Sequence, residues 1–181
     1  MRIILKILGL IGAVIVGVFI VAGLQTPDFR IERTRKLSAP PEAIYSLIGT
    51  MAKWRDWSPW LEMEPGAEVS YSGPEAGAGA TQTWKGQKIG SGSITLLEAE
   101  APSRVKYQVQ FIDWNATNFG EFRLVAFTKP DGSVDGTQVT WVMEGKNNLI
   151  ARVFWLLMGV RKNIEKDFDR GLDLLEAKSK A

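Results

Sequence analysis

The sequence predicts an α+β fold in which an antiparallel sheet curves about a C-terminal helix, and three observations on the 181-residue chain carry that expectation. The elements run in the order strand, short helices, about six further strands, long helix. Arg104 to Phe111 alternates cleanly, with Val105, Tyr107, Val109 and Phe111 on one face and Arg104, Lys106, Gln108 and Gln110 on the other. That period of two marks a half-buried antiparallel strand. From Asn148 to about Ala177, apolar residues from Leu149 through Val160 and Phe168 to Leu175 recur at three- and four-residue steps, the stripe of one continuous helix.

Ahead of this domain, residues 7–24 form an uncharged run of 18 residues led in by Arg2 and Lys6. A helix of that length spans about 27 Å, close to the hydrocarbon thickness of a bilayer. The run exceeds the apolar core of an ordinary secretory signal, although Val21-Ala22-Gly23 offers a small-residue cleavage site. The expected organisation is an uncleaved single-pass anchor over 1–25, contacting the membrane through 3–24, and one domain over 26–181. Arg2 and Lys6 favour a cytoplasmic N-terminus, which places the domain on the extracytoplasmic side. Arg30, Arg33, Arg35 and Lys36 pull the other way, but belong to the first strand.

Within the domain, Phe29 to Ser38 reads as that strand, with Phe29, Ile31 and Leu37 on one face. Arg33 and Arg35 share that parity, so either a bulge or a polar interior position interrupts it. Pro40-Pro41-Glu42 opens a helix whose buried side is Ile44, Tyr45, Leu47 and Ile48 before Gly49 stops it. The segment Lys53 to Trp60 continues as a short helix or turn. Strands follow near Val69–Tyr71, Ala80–Lys85, Ser91–Glu98, Arg104–Phe111, Phe119–Phe127 and Thr137–Glu144. Pro130-Asp131-Gly132 and Asp135-Gly136 join the last two as a hairpin.

Composition excludes much chemistry. With no Cys and no His, thiolate catalysis, zinc sites built on these residues and a Ser-His-Asp triad are ruled out. Past residue 24, twenty basic residues balance twenty acidic ones, and no basic cluster suited to nucleic acid stands out. The segment from Gly73 to Gly79 lacks the GxxxxGK[ST] pattern and leads into a strand, so it reads as a tight turn and not a phosphate cradle. Glu165, Asp169 and Asp173 alternate with Lys162, Lys166 and Arg170. They read as a solvated ion-pair face of i,i+3 partners and not as a metal site.

Several blocks resemble one known family: FRIERTRKLSAPPEAIYSLI, WRDWSPW, YSGPEAGAGATQTWKG, GSITLLEAEAPSRVKYQV, GTQVTWVMEG and FDRGLDLLEAK. In order, and covering nearly all of 29–178, they are similar to the polyketide cyclase/dehydrase-like branch of the SRPBCC, or START-like, superfamily. The resemblance implies a helix-grip fold of six to seven strands around the C-terminal helix. It also implies a deep apolar cavity between sheet and helix for a hydrophobic small molecule or lipid, with no cofactor. The wall residues expected on that basis are Trp57, Trp60, Trp84, Tyr107 and Val109, together with Phe111, Phe122, Trp141, Leu156 and Val160. Sequence alone leaves a solid aromatic core as the alternative, since Trp residues carry a large burial term. The expected function is binding, with a cyclase- or aromatase-type enzyme or a chaperone-activator-like interaction module as alternatives. Glu144, Asp56 and Tyr107 are the weak candidates for proton transfer, and Arg33 a further ionisable residue near the cavity. Phe154, Trp155 and Met158 lie on a stretch that is apolar all round, and lipid contact is one reading of them.

Overall fold

The computed structural model describes residues 2–180. A 23-residue helix, α1 (Arg2–Leu24), leads through a three-residue link into β1 (Asp28–Leu37). Then come α2 (Pro41–Ile48), a 3-10 helical segment over Met51–Asp56, and the short α3 (Pro59–Met63). Six strands follow: β2 (Glu68–Ser72), β3 (Thr81–Lys85), β4 (Ser91–Glu100), β5 (Arg104–Phe111), β6 (Ala116–Thr128) and β7 (Val134–Lys146). The chain closes with α4 (Leu149–Met158) and α5 (Val160–Ser179). All seven strands form one antiparallel sheet in the order β1-β7-β6-β5-β4-β3-β2. The helix-grip expectation holds: β1 closes beside the last strand, and α5 lies in the concave face.

The polar pair on β1 sits on the inner face without a bulge, partly exposed beside α5. β1 pairs with β7 without a register shift, so Arg33 and Arg35 do point toward α5. There the Arg33 guanidinium grips Asp169 with two bonds, at 2.9 and 2.6 Å, and Arg35 pairs with Asp173. Asp169 and Asp173 are therefore engaged by β1, and cross-element pairs take the place of the expected Lys166/Asp169 and Arg170/Asp173 partners. Arg170 likewise reaches Glu62 on α3, while Arg161–Glu165 and Glu176–Lys180 are local pairs.

The expected single C-terminal helix is two. Gly159 takes φ +60°, a left-handed conformation that only glycine adopts cheaply, and it turns α4 away from α5. The apolar period runs unbroken through Leu156 and Val160, which hid the break. The β2–β3 connection is also longer than a tight turn. Its Gly77 N–H donates to Gly49 O at 2.9 Å, and Thr50 and Ala76 form an isolated bridge. The loop is thus pinned to the end of α2.

The core is an aromatic stack around Trp141, which is fully buried. Its ring lies 4.0 Å from Phe168 at an interplanar angle of 7°, and 4.8 Å from Phe122. Trp57 and Trp60 meet it edge-on at 5.7 and 5.9 Å. Gly171 on α5 makes room, because a Cβ there would fall 2.6 Å from the Trp141 ring. The three buried indoles each have an acceptor: Trp54 donates to Ile48 O, Trp57 to Leu47 O, and Trp141 to the Tyr107 hydroxyl at 2.7 Å. Buried polar groups of aromatics need such partners.

Candidate functional site

Between β3–β5 and the 3-10/α3 segment the aromatic packing leaves an apolar cleft of about 80 Å³. It lies beside the stack, under the short helices, and not between the sheet and the length of α5 as expected. Sequence alternation places most of its wall. Gln82 and Trp84 on β3, Ile94 on β4, and Tyr107, Val109 and Phe111 on β5 share the concave face. Trp54, Ser58, Trp60 and Leu61 roof it, Ile89 closes one end, and Met143 completes the wall.

Of the ten expected wall residues, Trp60, Trp84, Tyr107, Val109 and Phe111 line the cleft. Trp57, Phe122 and Trp141 are instead consumed by the solid core. Leu156 lies exposed on α4 and Val160 opens α5, both away from the cleft. The deep cavity implied by the resemblance is correspondingly reduced, since a pocket for a drug-sized ligand runs to roughly 300–1,000 Å³.

The polar groups of the cleft are few. Ser58 caps α3 by accepting from Leu61 N–H. Gln82 is 4% exposed, and its Oε1 has no hydrogen-bond partner. Burying an amide oxygen without a donor costs free energy, so this residue marks where a ligand donor or a water would gain most. Tyr107 has its oxygen fixed by the Trp141 N–H. Burial pushes its phenol well above the usual range, so it stays protonated and is a poor base. A Cβ at Gly120 would fall 2.0 Å from the Tyr107 ring, which explains the glycine in the middle of β6.

The other candidates for proton transfer face elsewhere. Glu144 sits on the outer face of β7 with its carboxylate 3.0 Å from Arg30, and Asp56 is exposed at the end of the 3-10 segment. Arg33 is held by Asp169. One carboxylate bonded to the cleft wall is a residue the sequence did not point to. Asp167 accepts from the Trp60 indole at 3.2 Å, and burial raises its pKa against the opposing pull of that bond. Among the described residues no three of Asp, Glu, His and Cys gather as a metal site would require. A larger depression of about 260 Å³ on the outer face is lined by Arg30, Lys106, Glu121 and Glu144. Its charges compensate one another, so it lacks the apolar character of the inner cleft.

One end of the cleft is held by a carboxylate clamp. Glu64 accepts the backbone N–H groups of Gln87, Lys88 and Ile89 at 2.8, 2.8 and 3.1 Å, tying the β3–β4 hairpin to the end of α3. These bonds hold its pKa below the usual carboxylate range.

Residues 28–180 match the family described as polyketide cyclase/dehydrase and lipid transport. The chain belongs to that family. Among solved structures it is similar to protein CV1439 from Chromobacterium violaceum at 20% identity and a TM-score of 0.60, covering 84% of this chain and 97% of that one. It is also similar to truncated norcoclaurine synthase from Thalictrum flavum, with 12% identity, a TM-score of 0.59 and coverage of 84% and 94%. The Aha1 dimer from Colwellia psychrerythraea aligns at 15% identity and a TM-score of 0.58 over 82% and 93%. At such identities these likenesses speak for the fold alone. No curated protein matches the chain significantly.

Proposed function

We propose that the chain is a membrane-anchored binding protein for a hydrophobic, lipid-like molecule that carries a hydrogen-bond donor. Residues 1–25 serve as the anchor and 26–181 as the ligand-binding domain on the extracytoplasmic side. The observation that carries this reading is the apolar cleft with one buried, unpartnered acceptor, Gln82 Oε1. The family's association with lipid transport supports it, as does α1, which is long and apolar enough to cross a bilayer. Binding is favoured over proton transfer because the cleft wall carries no carboxylate, lysine or arginine among the described residues. The cleft is narrower than such a ligand, so entry requires its wall to give. The β3–β4 hairpin, attached through Glu64 and bearing Ile89, is the segment positioned to do so.

The test is photolabelling of the full chain in vesicles with a diazirine-bearing fatty alcohol. Adducts on the peptides holding Trp84, Val109 and Phe111, displaced by excess unlabelled alcohol, are expected. Labelling confined to α1 and α4 would overturn the reading.

A further inference from the structure

We infer that α4 and the β5–β6 turn form a second membrane contact, lying in the bilayer interface and seating the domain on the lipid surface. The inference rests on α1 crossing the bilayer as proposed above, and it adds a docking face that the anchor alone does not require.

The sheet topology brings the relevant pieces to one end. Because every neighbour is antiparallel, the start of β1 and the end of β7 lie beside the β5–β6 and β3–β4 turns. That is the end to which α1 is attached, through Gln25, Thr26 and Pro27 only. Over the same end lies α4. Its outward stripe, Ile150, Phe154, Leu157 and Met158, recurs at helical spacing and is left exposed, Met158 at 65%. On the neighbouring turn Ile112 and Trp114 also stand out, Trp114 at 67%, and the Trp114 ring meets Phe154 edge-on at 6.1 Å. The two exposed groups therefore form one continuous apolar surface.

Two contacts fix this surface relative to the anchor. The one charged residue of α4, Arg152, donates to Gly23 O and Gln25 O at 3.3 and 2.7 Å, capping the end of α1. One turn further along the same side of α4, Trp155 packs on Phe29 at 4.6 Å, joining the helix to the core. A helix with one apolar face outward, its single cation Arg152 turned to the end of a membrane-length helix, matches an interfacial segment. An exposed Trp at that level suits the same depth. The occupant is then the bilayer that holds α1. Ile89 and Phe111, at the cleft's end of the sheet, come to face the lipid as a result.

The chain has no Cys, so a single introduced thiol is a unique label site. Full-length Trp114→Cys, Leu157→Cys, Ile11→Cys and Val134→Cys, each carrying an environment-sensitive fluorophore, would be placed in phosphatidylcholine vesicles with nitroxide on the upper acyl chain. Val134 is 50% exposed at the opposite end of the sheet and serves as the aqueous control. Blue-shifted emission quenched by lipid nitroxide is expected at 11, 114 and 157 and not at 134. Adding Leu157→Glu and Met158→Glu to the Trp114→Cys chain should abolish the quenching at 114. Aqueous signals at 114 and 157 with quenching at 11 would overturn the docking face while sparing the anchor. No quenching at 11 would overturn the anchor reading, and the docking face with it. A blue shift at 114 and 157 without lipid quenching would mean that protein covers the face, which also overturns the inference.

Discussion

Gln82 sits where β3 alternation puts it, between Ala80 and Trp84 on the concave face, and there it is a liability for folding. An unsatisfied buried amide oxygen costs about 1–3 kcal/mol, and a methionine of similar shape has no such group. Gln82→Met is therefore expected to raise stability by about that amount in urea unfolding, while weakening capture of the photoreactive alcohol at β3 and β5. Loss of stability together with unchanged labelling would show that Gln82 is a structural group. Its place on the inner face was legible in the sequence from the strand period, but its lack of a partner was not. Satisfaction depends on Ile94, Trp54 and the roof over the cleft, which are far apart in the chain. The family resemblance implies a cavity wall for Trp57, Phe122 and Trp141, and the same dependence on distant neighbours places them in the solid core instead. Alternation tells which face a ring occupies, and only packing tells whether another ring fills the space beside it.

Among the elements, the β3–β4 hairpin has a pH-dependent attachment. Its clamp, Glu64, has its folded pKa held below the ordinary value by three backbone N–H donors. The stabilisation is thus present above the unfolded pKa and is lost as pH falls through the folded one. Amide protection at Gln87, Lys88 and Ile89 should fall in acid, and Glu64→Ala should remove it at neutral pH, as hydrogen exchange would report. Protection that survives in Glu64→Ala would assign the hairpin's order to the Gly86–Gly90 bond instead. Strand existence and parity were readable along the chain, with Arg104–Phe111 matching β5 end to end. The break between α4 and α5 was not, because Gly159 interrupts the backbone without interrupting the hydrophobic period. A glycine at the end of a stretch apolar on all sides was the available signal.

For the whole molecule, α1 adds little to the domain's own core, with Ala22 as its single buried residue. A chain of residues 26–181 is accordingly expected to fold cooperatively, its Trp fluorescence changing in one transition. It should also self-associate through the uncovered face of α4, and Leu157→Glu with Met158→Glu should restore a monomer in analytical ultracentrifugation. A monomeric fragment without those changes would show that α4 is not sticky enough to need cover. The length of the link carries a separate consequence. Gln25, Thr26 and Pro27 reach no more than about 11 Å fully extended, less than the width of the domain they carry. A binding domain anchored as proposed above, on so short a leash, cannot cross an aqueous gap between two membranes. On the proposed reading the domain moves only with the bilayer that α1 spans, and any exchange partner must come to that same surface.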